Sequence, residues 1–275
     1  IVSGELIIAT DPDSDRVGAM CLHKGGYVRI TGNQMGALLT DYILSARKER
    51  GDMPDNAAII KTIVTTQLAG EIAKFYGAEC INTFTGFKFM AEKIKEYEKS
   101  GQYEVLFSFE ESYGYMPGTF VRDKDAVSAS MLIVEMAAYH KANGKTLLDA
   151  LEDLYLKFGY FCEETINIKM AGVDGQEKMA DVKAGIRQSP PEMIEGLKVE
   201  LMRDYLDGTC VDMVHGVKSN MELKGSDVLS FELQGGSKLL MRPSGTEPKL
   251  KLYILSKGKS EDECVNAVKS IRGFT

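Results

Sequence analysis

No stretch of this chain approaches the roughly 20 consecutive apolar residues that a helix needs to cross a bilayer, so neither a spanning helix nor a membrane partner is expected. An excess of positive charge is also missing. The 33 Lys and Arg stand against 40 Asp and Glu, and the net charge of −7 argues against broad nucleic-acid binding. An anionic ligand would have to be met locally, by a metal and a few placed cations. Cysteine pairs are absent: the five cysteines, Cys21, Cys80, Cys162, Cys210 and Cys264, are scattered without a C-x-x-C, which suits a reducing cytoplasm. The histidines, His23, His140 and His215, have no metal-ligand spacing and read as structural or exposed. No fixed-period repeat and no low-complexity tract occurs. What is there is an ordinary globular composition, 44% hydrophobic and 27% charged, with 275 residues giving room for two ordinary domains or one large one. The chain opens on Ile1 without an initiator Met or a signal peptide and runs straight into a strand, as a cut piece would.

Hydrophobic spacing predicts strands over 5–10, 17–23 and 27–31, with a turn at Gly25-Gly26. A helix from Asn33 is signalled by Met35, Leu38, Leu39, Tyr42, Ile43 and Ala46 and ends in Arg47-Lys48. Strands over 58–64, 78–84 and 104–109 then alternate with helices over 67–76 and 87–98, and helices over 125–142 and 147–158 follow. Such alternation argues for an α/β unit with a mostly parallel sheet covered on both faces. Beyond residue 160 the pattern changes to α+β: strands over 164–170, 228–233, 238–241 and 249–255, and helices over 177–187 and 261–271.

The sharpest motif is Asp11-Pro12-Asp13-Ser14-Asp15-Arg16 after the first apolar run. In extended backbone, side chains at alternate positions share a face, so Asp11, Asp13 and Asp15 offer three oxygens to one cation. Carboxylates without His or Cys favour Mg²⁺, Ca²⁺ or Mn²⁺ over zinc. An EF-hand is a poor match, since its sixth position should be Gly and is Arg16, and its twelfth should be Glu and is Leu22. A guanidinium beside such a cluster suits a bound phosphate that both cations share.

Four other segments carry candidate chemistry. Arg242, Ser244, Gly245 and Thr246 lie between two strands and can form a phosphate cradle of guanidinium, hydroxyls and backbone amides, with Lys249 and Lys251 following. Glu110-Glu111-Ser112 closes the last predicted strand of the parallel unit, where α/β sheets bind ligands, and one of the two carboxylates is expected to face sugar hydroxyls. Thr85-Gly86-Phe87-Lys88 starts a helix whose amides, or Lys88, can meet a phosphate. Arg122 and Lys124 stand at another helix start, where the dipole disfavours cations, so they are expected to have another partner.

Taken in order, segments 10–18, 85–88, 110–114, 122–125 and 242–251 resemble the α-D-phosphohexomutases, most closely their bacterial phosphoglucomutase/phosphomannomutase branch. The resemblance implies three parts: 1–32 as the end of domain two, 33–160 as the α/β domain three, and 161–275 as a smaller α+β domain four. It implies Asp11, Asp13 and Asp15 as Mg²⁺ ligands, Arg16 as an active-site cation, and Lys124 as an acid/base or electrostatic helper near the transferring group. Glu110 and Ser112 would grip the sugar, and Arg242, Ser244, Gly245 and Thr246 the non-reacting phosphate. The implied reaction interconverts hexose 1-phosphate and 6-phosphate in the cytoplasm through an upstream phosphoserine, with glucose 1,6-bisphosphate or a matching hexose bisphosphate as activator.

Two departures stand out. Many relatives have Gly before the sugar-loop Glu, where this chain has Phe109, and the family's phosphoserine loop occurs nowhere in the 275 residues. The chain is therefore expected to be the C-terminal portion of a protein about twice as long. Two alternatives follow from the residues: a sugar-phosphate-binding fragment without turnover, or a haloacid-dehalogenase-like phosphatase with Asp11 as nucleophile.

Overall fold

The first three strands, β1 (Leu6–Thr10), β2 (Val17–His23) and β3 (Gly26–Ile30), form an antiparallel meander in the computed structural model, which describes residues 4–169, 175–243 and 249–273. In β2, Val17, Ala19 and Cys21 are buried, and the residues between them less so: the period-2 signature of a sheet with one covered face. Thr10 pairs with Val17, so the acidic loop 11–16 is the connection of a hairpin.

Helix α1 (Gly32–Arg50) starts at a capping box: Thr31 Oγ1 accepts from Gln34 N at 3.2 Å, and Gln34 Oε1 accepts from Thr31 N at 2.9 Å. It stops at Gly51, whose φ of 71° only glycine adopts cheaply. There follow β4 (Ala57–Thr62), α2 (Leu68–Tyr76), β5 (Glu79–Thr83), α3 (Phe87–Ser100), β6 (Glu104–Glu110), β7 (Gly114–Pro117), α4 (Ala126–Ala142) and α5 (Leu147–Phe158). The sheet order is β5-β4-β6-β7, with β4 parallel to both neighbours. All six residues of β4 are buried, as a central parallel strand with both faces covered requires. The hydrophobic pattern ends this sheet at residue 109. The structure adds the short antiparallel strand β7, paired Glu110 to Gly114, which turns the 110–114 loop into a hairpin.

The chain divides into two compact units, Ile1–Phe158 and Gly159–Thr275. The second holds β8 (Tyr160–Lys169), α6 (Gly175–Gln188), β9 (Met193–Ile194), β10 (Leu197–Asp204), β11 (Thr209–Asp212), β12 (Val217–Asn220), β13 (Leu229–Leu233), β14 (Lys238–Pro243), β15 (Lys249–Gly258) and α7 (Glu261–Arg272). Its sheet is antiparallel, in the order β12-β11-β10-β13-β14-β15-β8, with β9 pairing β10. Phe231, Leu239, Leu252, Ile254 and Ile271 centre its core. No helix among the described residues is long and apolar enough to cross a membrane.

Candidate active site

The acidic loop is turned, where the sequence reading expected extended backbone. Ser14 takes a φ of 55°, its amide donates to Asp11 O at 3.0 Å, and Asp11 Oδ1 accepts from the amides of Asp15 at 3.1 Å and Arg16 at 3.0 Å. The carboxylates still converge. One oxygen from each of Asp11, Asp13 and Asp15 lies within 4.8 Å of the others, and no other such cluster occurs among the described residues. Three such hard oxygens, if held together, would suit a divalent cation such as Mg²⁺. The Arg16 amide, foremost, pulls the Asp11 carboxyl below its usual range and keeps it ionised.

Cations border this cluster. Lys124 Nζ lies 2.9 Å from Asp15 Oδ2 and 3.3 Å from Asp123 Oδ1, and Arg16 Nε lies 3.7 Å from Asp15 Oδ1. Burial by itself would lower the Lys124 ammonium, but the bonds and charges of Asp15 and Asp123 outweigh it and raise the pKa above lysine's usual value. The lysine stem runs past Gly114, where a Cβ would sit 2.5 Å from Lys124 Cδ. Asp125, the last residue of the same run, is the N-cap of α4 and accepts from Val127 N at 3.0 Å and Ser128 N at 3.3 Å. Backbone bonds tie these pieces together: Val17 N donates to Tyr113 O at 3.1 Å, and Ala126 N to Ser14 O at 3.0 Å. Arg122 is not gathered in, since its Nη2 bonds Glu98 Oε2 at 2.5 Å on the last turn of α3.

At the end of β6, Glu110 is buried and its Oε1 accepts from Gly86 N at 2.6 Å, which brings the Thr85-Gly86 turn to the 110–114 loop. Burial, then the charge of Glu111, raises the Glu110 carboxyl, against the opposing pull of the Gly86 amide, Lys124 and Arg16. Lys88 stays exposed, its Nζ 4.7 Å from the Phe89 ring centre. Glu111 turns to other partners: its Oε2 lies 3.4 Å from Thr62 Oγ1 and 3.3 Å from Thr65 Oγ1, and its Oε1 accepts from Ser112 Oγ at 3.0 Å. Phe109 leaves this arrangement undisturbed. It alternates to the opposite face of β6 from Glu110, stacks on Phe107 at 5.3 Å, and fits only because α1 offers Gly36 there: a Cβ would lie 2.0 Å from the ring.

In the second unit, Arg242 lies on β14, while Ser244, Gly245 and Thr246 fall outside the described residues. Register places Arg242 opposite Lys251 and Lys249 opposite Lys169. Residues directly opposite in an antiparallel pair share a face, so β14, β15 and β8 gather four cations on one side of the sheet. Like charges so paired repel, which an anion relieves. Lys169 belongs to no motif, and only the register reveals it.

A family model described as phosphoglucomutase/phosphomannomutase, alpha/beta/alpha domain III, matches residues 31–158, the segment that holds the Gly86, Glu110 and Lys124 cluster. Residues 31–158 are thus similar to domain III of the phosphoglucomutase/phosphomannomutase family. A phosphoglucomutase from Staphylococcus aureus (strain bovine RF122 / ET3-1) is 35% identical over 268 residues, 97% of this chain and 47% of that protein. The chain thus spans about half the length of the curated relatives it matches. Among solved structures, the open form of pp63/parafusin, a phosphoglucomutase from Paramecium, superposes with a TM-score of 0.66 at 18% identity, covering 98% of this chain and 45% of that one. An N-acetylphosphoglucosamine mutase from Aspergillus fumigatus, in complex with GlcNAc-6P and magnesium, gives 0.51 at 14% identity, covering 97% and 51%. At such identities the structures speak for the fold.

Proposed function

We propose that this chain supplies the metal loop, the sugar grip and the distal-phosphate loop of a mutase that interconverts hexose 1-phosphate and 6-phosphate through a bisphosphate, with hexose bisphosphate as activator. The reading rests above all on one convergence: three carboxylates within 4.8 Å of one another, flanked by Lys124 and Arg16 and tied by backbone bonds to the loop that carries Glu110 and Ser112. The complex of the Aspergillus mutase with GlcNAc-6P and magnesium supports a hexose phosphate and Mg²⁺ as the ligands.

Asp11, Asp13 and Asp15 would hold the Mg²⁺, which when bound offsets charge on the transferring phosphoryl group. Lys124 and Arg16 add positive charge where phosphoryl oxygens gather negative charge, and electrostatics and positioning carry most of the catalysis in phosphoryl transfer. Glu110, fixed by Gly86, accepts hydrogen bonds from sugar hydroxyls together with Ser112. Thr85 and Lys88 border this grip. Arg242, Ser244, Gly245 and Thr246 take the phosphate that is not reacting. Separate grips let a bisphosphate reorient between two half-reactions, its two phosphates exchanging places while the same residues serve both orientations. The five free cysteines accord with work in the reducing cytoplasm.

The phosphoryl-carrying serine belongs to a part of the parent that this chain does not contain, so the chain binds hexose phosphate without turning it over. Incubation with glucose 1-phosphate, Mg²⁺ and catalytic glucose 1,6-bisphosphate should yield no glucose 6-phosphate, while calorimetry detects binding of the sugar phosphate. Turnover by the purified chain would overturn the inert-fragment part of this reading, and absence of any binding would overturn the rest.

A further inference from the structure

The Glu111 carboxylate touches no part of the metal cluster, yet it is the most heavily engaged side chain of the sugar loop. We propose that Glu111 is a positioning residue that fixes the direction of the Ser112 hydroxyl and thereby makes the sugar grip an acceptor-only surface. The proposal rests on the sugar-gripping role of Glu110 and Ser112 given above and deepens it.

Ser112 has a single hydroxyl proton, and that proton is donated to Glu111 Oε1 across 3.0 Å. Only lone pairs remain for a ligand. Glu111 is fixed in turn from the core. Thr62 and Thr65 are both fully buried, their hydroxyl oxygens lie 2.7 Å apart, and both reach Glu111 Oε2. Two hydroxyls carry two protons: one bridges the pair, and the other points at the carboxylate. Beneath them the buried Lys61 Nζ donates to Thr65 O at 3.2 Å and to Asn82 Oδ1 at 2.9 Å, pinning the turn between β4 and α2. Gly32 lets the helix α1 lie against the loop, since a Cβ there would stand 1.9 Å from Glu111 O. Backbone, carboxylate and hydroxyl are thus set before a ligand arrives.

With Glu110 ionised, both gripping groups accept and neither donates. A sugar position that brings a hydroxyl is bound, and one that brings only an acceptor, such as fluorine or an ether oxygen, sets lone pairs against lone pairs. Sites built to bond a hydroxyl discriminate strongly against analogues that lack the donor.

The test compares the affinity of the whole chain for glucose 6-phosphate and for its 3-deoxy-3-fluoro and 4-deoxy-4-fluoro analogues, by calorimetry and fluorine NMR. The wild type should bind the parent sugar about 10-fold more tightly than at least one analogue. In Glu111→Ala, the freed Ser112 hydroxyl can donate, so that ratio should fall to roughly 2-fold, chiefly through tighter binding of the analogue rather than a general loss. Glu111→Gln keeps an amide oxygen for Ser112 and should restore most of the ratio, and Thr65→Val should give an intermediate value. A folded Glu111→Ala variant with the wild-type ratio would reduce Glu111 to a structural residue and overturn the inference; should that variant not fold, the wild-type ratio in Thr65→Val does the same. Equal wild-type affinities for sugar and analogues would also overturn it while leaving the functional reading intact. No binding of glucose 6-phosphate by the wild type would bring down that reading, and the inference with it.

Discussion

Lys124 competes for an oxygen that a divalent cation would use. Its ammonium is 2.9 Å from Asp15 Oδ2 and is held protonated by its two aspartate partners, so a metal entering the cluster meets a fixed positive charge. Lys124→Met should therefore tighten Mg²⁺ or Mn²⁺ binding by about 5- to 10-fold, a modest effect for a neighbouring unit charge in a partly solvated site. Titration with Mn²⁺ followed by electron paramagnetic resonance reads this directly, and weaker binding in the variant would make Lys124 a supporter of the site rather than a competitor. The same scale governs Glu110. Burial raises its carboxyl in the folded chain above the ordinary value of 4.5, so the ionised form is disfavoured by folding. The sign follows: stability from this group is fully present at low pH and is lost as pH rises from the unfolded value through the raised folded one. Sugar binding runs the other way, because acceptance of hydroxyls by the carboxylate fails as pH falls through that raised value. Glu110→Gln should remove this component of the pH dependence of the urea midpoint between about pH 4.5 and 8 and be no less stable than wild type at about pH 8, while its sugar affinity drops; a clear loss of stability at the upper end of that range would show that the carboxylate's bond to Gly86 outweighs its burial.

At the scale of elements, α1 illustrates how a helix can be dictated by what it faces. Its apolar spacing was legible in residues 35–46, but the capping box at Thr31 was found only in the structure, and the reason for glycine at position 36 was hidden because the Phe109 ring that needs the space arrives from far along the chain, on β6. Gly36→Ala places a methyl 2.0 Å from that ring. Helix propensity alone would favour alanine by roughly 0.5–1 kcal/mol, whereas overpacking costs about 1–3 kcal/mol. Overpacking should win, giving a net loss of about 1–2 kcal/mol in stability measured by urea unfolding; a stabilised variant would mean that α1 shifts freely. The acidic loop was legible in composition and not in conformation: Asp11 closes the turn locally on the amides of Ser14, Asp15 and Arg16, while its anchoring to Tyr113 through Val17 and to Ala126 through Ser14 is encoded by no local pattern. In residues 197–220, where sequence reading assigned no element, β10 shifts register between Val199 and Leu201, which breaks the alternation that signals a strand.

For the whole molecule, the separation into two units has an energetic meaning that can be measured. The first unit has two sheets and the second has one, each unit with its own buried residues, so each is expected to fold as a cooperative body. Residues 159–275 expressed alone should then unfold in a single transition, carrying with them the face formed by Arg242, Lys251, Lys249 and Lys169. If that face is an anion site, a ligand that binds only the folded form stabilises it by mass action, about 1.4 kcal/mol at ten times the dissociation constant. Inorganic phosphate should raise the melting temperature of this unit, more than chloride does at equal ionic strength, and added salt should erode the gain. Arg242→Gln should abolish the phosphate response while relieving cross-strand repulsion with Lys251, so that without phosphate the variant melts no lower than the wild type. A phosphate response that survives in Arg242→Gln would place the anion elsewhere and detach this unit from the distal-phosphate role.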